Sequence, residues 1–357
     1  MPDALPATMR AVLLTGFGGF ERLELKTDVP LHRPGPGEVL VKVGAAAVNN
    51  TDINTRIGWY SKAVADSTDA AGDAGFESAQ DDGWSGAAFI FPRIQGADCC
   101  GRIATVGSGV NQGRIGERVL IDPLIRDQDG SIRYFGSELD GGFADYCLVP
   151  GRNALRIDSA LSDAEVASFP CAYSTAENIL TRIGLSAGET VLVTGASGGV
   201  GGAAIQLAKR RGAKVIAVAG ADKADAVRSL GADKVVKRGT DLNESVGHSQ
   251  VDAVVDVVGG AQFPQLLDCL KPGGRYGVSG AIAGPIVDLD LRTLYLKDLR
   301  LIGCTVLEPE VFPNLIGYIE RGEITPQIDS TFALADIVAA QQRFLEKRHI
   351  GKIVLTV

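Results

Sequence analysis

Hydrophobic residues are distributed in two different ways along the chain. Through about residue 150 they form short runs broken by glycine and proline. Residues 9–14 and 38–43 are β-rich and flank the breaker cluster Pro34-Gly35-Pro36-Gly37, and further strands are predicted at 101–106, 117–121 and 142–149. The first part of the chain is therefore predicted to be a β-rich domain. From about Leu161 the pattern changes to continuous apolar runs of strand length alternating with helix-forming stretches. Residues 190–194, 214–218, 234–236, 253–258 and 274–278 read as strands, and 203–211 and 223–230 as helices. Unbroken Val, Ile and Leu runs belong to strands covered on both faces, and right-handed crossovers between them build a doubly wound parallel sheet. After Cys304, helical patterns at 311–321 and 334–347 precede a last strand at 352–355. That strand is predicted to return to the first domain. The fold class is thus α/β, with residues 1–155 and 305–357 forming a discontinuous β-rich domain and residues 156–304 the parallel-sheet domain.

One stretch fits neither pattern. Residues 61–92 are rich in Ala, Gly, Ser and Asp and carry Asp66, Asp69, Asp73, Glu77, Asp81 and Asp82 against the single base Lys62. This reads as an acidic insertion in the first domain, a solvated excursion of the kind surface loops tolerate. Its aromatic end, with Trp84, Phe89 and Phe91, offers the alternative of a lid.

Composition narrows the class. The 357 residues are 45% hydrophobic and 22% charged, enough apolar surface for two domains of roughly 150 residues each. A net charge of −8 argues against general affinity for nucleic acid or for an anionic membrane, either of which needs a basic face. The expected partner is a small molecule. The cysteines at 99, 100, 147, 171, 269 and 304 are too sparse for a disulfide framework and read as reduced thiols. No secretory pattern and no apolar run near ~18 residues is present, so a cytoplasmic protein is expected. His32, His248 and His349 fall in no ligand spacing.

The strongest chemical signal follows the run 190–194. Val193-Thr194-Gly195-Ala196-Ser197-Gly198-Gly199-Val200-Gly201 joins a strand to a helix. Glycines there permit a sharp turn and close backbone approach to a pyrophosphate, while the helix start offers unpaired N–H groups to the anion. Gly195, Ser197, Gly198, Gly199, Val200 and Gly201 are the predicted dinucleotide contacts. An acidic residue ending the next strand would select an unphosphorylated ribose. That strand instead ends Ala217-Val218-Ala219-Gly220, with Lys223 following and Arg238 closing the strand after it. These cations favour NADPH, although Asp222 argues the other way.

In order and spacing, these features accompany Val48-Asn49-Asn50-Thr51-Asp52, Arg56-Ile57-Gly58-Trp59-Tyr60, Gly96-Ala97-Asp98-Cys99-Cys100-Gly101-Arg102-Ile103, Gly141-Gly142-Phe143-Ala144-Asp145-Tyr146, Cys171-Ala172-Tyr173-Ser174-Thr175-Ala176 and Gly351-Lys352-Ile353-Val354-Leu355. Together they resemble the medium-chain dehydrogenase/reductase superfamily, and within it the zinc-free quinone oxidoreductase-like branch, along nearly the whole chain. The resemblance implies a GroES-like first domain carrying the catalytic residues, a Rossmann NADP(H)-binding second domain and a homodimer. Zinc alcohol dehydrogenases of the superfamily hold a catalytic metal with a Cys, a His beside an acidic residue and a later Cys. Those positions are here Asn49, Ala97 and Cys171, one plausible ligand where a catalytic zinc takes three. No Cys lies between Cys100 and Cys147 to form the structural zinc lobe, so no metal is expected.

Without a Lewis acid, hydride removal from a simple alcohol loses its main alkoxide stabiliser. Conjugate reduction is easier, because charge moves to a distant oxygen that a few hydrogen-bond donors can stabilise. The resemblance makes Asn49 a holder of the nicotinamide ribose or the carbonyl oxygen, Tyr60 a substrate contact or proton donor, and Asp52 an organiser of the loop or the ribose. It also sets Val258, Ser279, Ala281 and Lys352 along the cofactor. The expected activity is NADPH-dependent reduction of an enone or quinone. A nucleotide-binding protein with little turnover and a zinc-dependent alcohol dehydrogenase are the alternatives.

Overall fold

The computed structural model describes residues 5–71, 73–80, 83–86, 88–127 and 129–357. The chain divides into two compact units, one built from Met1–Val64, Ala71–Cys171 and Ile328–Val357, the other from Ala65–Ala70 and Ala172–Gln327.

The first unit is mostly β. Its central strand, Glu38–Val48, pairs antiparallel with Asp98–Val106, Tyr146–Pro150 and Lys352–Thr356. Fully buried Ala45, Ala46, Ala47 and Val48 end this strand. Register fixes what meets at that end: Ala47 lies opposite Asp98, and Val48 opposite Ile353. Asn49, Asp98 and Lys352, separated by up to 303 positions in sequence, are thereby brought together by strand pairing.

The segment 61–92 is less detached than its composition suggests. Phe89 is buried, and Phe17, Phe89 and Phe91 make ring contacts at 4.8–6.1 Å within a core that also holds Ile53, Ile57 and Phe143. Phe89 and Phe91 therefore belong to that core. Residues 65–70 belong to the second unit, where Thr68 N–H and its hydroxyl both donate to Ile282 O, at 3.0 and 3.2 Å. Asp81 and Asp82 lie outside the described residues.

The second unit holds a six-stranded parallel sheet: β1 (Thr190–Val193), β2 (Lys214–Ala219), β3 (Lys234–Lys237), β4 (Val251–Asp256), β5 (Leu270–Val278) and β6 (Arg300–Gly303), in the spatial order 3-2-1-4-5-6. This is the strand order of the dinucleotide-binding Rossmann sheet, with its switch point between β1 and β4. Val191, Leu192, Val193, Ala253, Val254 and Val255 are fully buried, as expected of central parallel strands covered on both sides.

The units divide later than the composition shift at 155 and 305 suggested. Helix Val311–Glu320 stays with the second unit: Tyr318 Oη donates to Glu177 Oε1 at 3.2 Å, and Arg210 stacks on the Tyr318 ring at 3.5 Å. The chain beyond it is tied there by the hydroxyl of Tyr173, which donates to Thr325 O at 2.7 Å. Only from Ile328 does it join the first unit. Among the described residues no helix is long and apolar enough to cross a membrane.

Candidate active site

In the second unit, β1 leads into a turn and then into helix α1 (Gly199–Arg210). The helix starts inside the glycine cluster, four residues earlier than its composition alone indicated. Gly195 sits at φ +57°, a conformation that costs glycine nothing. Gly198 caps the helix with extended backbone, leaving the first-turn amides without intrahelical partners and the positive end of the helix dipole at the turn. A Cβ at Gly195 would meet the side chains of Val257 and Val258 at 3.0 and 3.2 Å, and one at Gly259 would meet Ala281. Gly195, Val258 and the 279–281 segment, read separately from sequence, therefore gather at one edge of the sheet. At the end of β2, Arg238 N–H donates to Ala219 O at 2.7 Å and the side chain is exposed. Lys223, by contrast, is nine-tenths buried.

The first unit holds the other group of candidates. Lys352, 3% exposed, donates to Val48 O at 3.1 Å and to Asn49 Oδ1, and pairs with Asp98 Oδ2 at 2.8 Å. Its three N–H donors are matched by three internal acceptors. The amide nitrogen of Asn49 donates to Ala47 O at 3.2 Å and to Asp98 Oδ2 at 2.9 Å. Both amide hydrogens are thus committed within the unit, and the side chain also takes part in the capping box that opens helix Asn50–Arg56. Asp52 accepts from Asn49 N–H at 2.8 Å and Gly96 N–H at 3.1 Å, tying helix Asn50–Arg56 to the loop before Asp98. Burial pushes its carboxyl up to about 7, against opposing pulls from these amides and Lys352.

Next to this charged group stand three weak acids that keep their protons. Tyr60 Oη donates to Thr51 Oγ1 at 3.1 Å, and burial pushes its phenol up to about 12. Tyr134 Oη donates to Cys171 Sγ at 3.4 Å, and burial likewise raises the Cys171 thiol to about 12. Trp84 stacks on Tyr134 at 4.7 Å, and Cys171 N–H donates to Asp98 Oδ1 at 2.6 Å. Asp98, Tyr134 and Trp84 were not singled out from sequence as site residues. Asp98 had a signal, being the lone carboxylate in an otherwise small and apolar run.

An alcohol dehydrogenase GroES-like domain model matches residues 35–159, and a zinc-binding dehydrogenase model matches residues 199–321. A Sinorhizobium meliloti structure carrying an alcohol dehydrogenase name is 46% identical, with a TM-score of 0.88 over 99% of this chain and 98% of that one. The chain belongs to the medium-chain dehydrogenase/reductase superfamily. Its first unit is GroES-like and its second a Rossmann domain. An acryloyl-coenzyme A reductase of Metallosphaera sedula is 28% identical over 98% of this chain and 100% of its own length. A quinone oxidoreductase of Lama guanicoe is 28% identical over 97% of each.

The name of the second family model implies zinc, and the donors in this superfamily member can be tested against it. Among the described residues no group of three or more His, Cys, Asp or Glu side chains is arranged to hold a metal. Where a ligand set is expected stand the amide Asn49, the methyl of Ala97 and a thiol whose burial disfavours the thiolate a metal requires. The neighbouring carboxylate of Asp98 already carries the Lys352 ammonium on one oxygen and an N–H on the other. These residues do not fit a catalytic zinc.

Two predictions follow from the charged cluster. Lys352→Met strands a buried carboxylate and should destabilise by about 3 kcal/mol or more in urea unfolding, while adding Asp98→Asn should recover much of that loss. A double variant that loses the sum of both single effects contradicts the pairing. For Asp52, the folded chain binds the proton more tightly than the unfolded chain, whose carboxyl titrates near ~4. Its contribution to stability is complete below that value and is lost as pH rises through about 7. Melting curves taken across this window should show the Tm of the unsubstituted protein falling relative to that of Asp52→Asn, and parallel pH profiles would contradict it.

Proposed function

We propose that this chain is an NADPH-dependent reductase that transfers hydride to carbon of an α,β-unsaturated carbonyl compound or a quinone without a metal. The observation that carries the reading is the first unit's polar cluster, where a lysine ammonium and paired side chains stand in place of a metal-binding set. Alkoxide chemistry lacks its stabiliser there, whereas hydride addition to a conjugated acceptor needs only hydrogen-bond donors for the developing enolate and a proton source. Tyr60 supplies a protonated phenol at neutral pH, and the relatives named for acryloyl-coenzyme A and quinone reduction act on acceptors of this electronic type.

A bound reduced nicotinamide supplies the hydride. Gly195, Ser197, Gly198, Gly199, Val200 and Gly201 would hold the pyrophosphate through backbone N–H groups, Ser279 and Ala281 would lie beside the nicotinamide, and Val258 beside the adenosine ribose. Arg238 favours the 2′-phosphate of NADPH. Asp222 opposes it, since a Cβ at Gly220 would come within 2.6 Å of its carboxylate, so that carboxylate lies over the end of β2. Asn49 and Asp52 serve as organisers of the cluster, and Tyr60 as substrate contact and proton donor. Six free cysteines, mostly buried, suit the cytoplasm.

The same reading includes a homodimer. β6 is an edge strand with Leu301 outward, and Leu291, Tyr295 and Leu296 beside it are more than half exposed. An apolar strand edge of this kind invites pairing, and a second copy placed by a two-fold axis covers it with its own identical edge. Sedimentation should give a dimer for the unsubstituted protein and a monomer for Leu301→Lys, and a monomeric unsubstituted protein contradicts the assembly.

The function itself is tested by following reduced-nucleotide oxidation on a panel of enones, unsaturated acyl thioesters, quinones and simple ketones. Turnover is expected on the conjugated acceptors. Tyr60→Phe should lower it with nucleotide affinity intact, and Arg238→Ala should raise KM for NADPH more than for NADH. Turnover confined to simple ketones and alcohols contradicts the reading.

A further inference from the structure

The ends of β1, β4 and β5 converge on one buried carboxylate that sequence reasoning passed over. Asp256 closes β4 and is completely buried. Its Oδ1 accepts the hydroxyl of Thr194 at 2.5 Å and Val258 N–H at 2.8 Å, its Oδ2 accepts the hydroxyl of Tyr276 at 2.5 Å, and Gly259 N–H is shared between both oxygens at 3.2 Å. The Thr194 hydroxyl oxygen in turn accepts Val257 N–H at 3.2 Å. Burial, and after it proximity to the carboxylate, pushes the Tyr276 phenol upward, keeping it a donor.

Each donor lies on a segment that matters for the nucleotide. Thr194 directly precedes Gly195. Val258 and Gly259 belong to the loop after β4, and Tyr276 stands three residues before Ser279, whose N–H donates to the backbone oxygen of Asp256 at 3.2 Å. The loops are further tied by Ala283 N–H to Val258 O at 2.8 Å. A buried carboxylate with no partners would be costly, and apolar packing would stabilise a sheet end as well as an ion. What apolar side chains cannot do is hold two loop N–H groups and two hydroxyls at fixed distances from one point.

We propose that Asp256 is a positioning residue for the nucleotide: it clamps the pyrophosphate turn to the loops after β4 and β5, so that both halves of the cofactor meet a preformed surface. This inference rests on the nucleotide-binding reading above. The test is titration of NADPH and NADH into the full-length protein and its Asp256→Asn, Tyr276→Phe and Thr194→Val variants, beside thermal unfolding of each without nucleotide. Asp256→Asn keeps the volume but replaces one acceptor oxygen by a donor. It should weaken nucleotide binding by about tenfold or more, measured well below its Tm, and raise KM for the nucleotide but not for the acceptor. The two hydroxyl variants should weaken binding by smaller factors. A folded Asp256→Asn protein with unchanged Kd overturns the clamp, even if its Tm falls. Should that variant not fold, unchanged Kd in both hydroxyl variants overturns it equally. An unsubstituted protein that binds neither nucleotide overturns the nucleotide reading itself, a result distinguishable from failure of the clamp alone.

Discussion

A Cβ at position 201 would stand 2.2 Å from the carbonyl oxygen of Gly195 and 2.7 Å from the Cα of Ala196. The first turn of α1 can therefore close against the loop leaving β1 only with glycine there, and the rest of the second unit is arranged around that contact. It sets where the unpaired amides of the helix start are presented. It also brings the loop within van der Waals reach of Val257 and Val258, so that the ends of β1, β4 and β5 share one small surface. Parallel strands buried on both faces give that surface a rigid floor, and backbone groups supply most of its polarity.

The first unit solves a different problem, that of burying charge. Asp98, Lys352 and Asn49 are almost entirely withdrawn from water, and each is balanced by a specific partner. A buried ion pair is poor evidence for added stability but strong evidence for a fixed arrangement, since removing one partner leaves the other uncompensated. The arrangement is self-sufficient: the ammonium uses its three hydrogens internally, and the carboxylate oxygens are occupied. Around it, Tyr60, Tyr134 and Cys171 remain protonated because burial disfavours their anions. Such a group can donate protons and hydrogen bonds, and it cannot polarise an alcohol as a divalent ion does.

Much of this was legible in the sequence where local pattern decides it. The parallel sheet follows from unbroken apolar runs, and the glycine turn from its setting between strand and helix. The resemblance placed Asn49 and Asp52 at one site. What escaped was set by contacts between distant segments. Lys352, set along the cofactor by the resemblance, gains its buried partners only through the register of Ile353 against Val48. Lys223 reads as a cation placed for a 2′-phosphate, and its burial was not visible in the sequence. The aromatic end of 61–92 was visible, but not the packing of Phe89 and Phe91 against Phe17 far upstream. The unit boundary near 327 follows Tyr318 and Tyr173, whose partners lie far from them in sequence. Asp256 did leave a trace, a single carboxylate in an otherwise apolar run, which is the pattern of a buried ion with a task.

Hydride delivered to the β carbon of a conjugated acceptor rather than to its carbonyl carbon is the claim on which the functional account stands. It is tested most directly by supplying NADPH carrying deuterium at the transferable position to chelator-treated protein with an α,β-unsaturated carbonyl acceptor, and locating the label in the product by NMR. The account predicts deuterium on the carbon β to the carbonyl, at a rate unaffected by removal of metal. Label on a carbinol carbon, or transfer that appears only when zinc is restored, would contradict it.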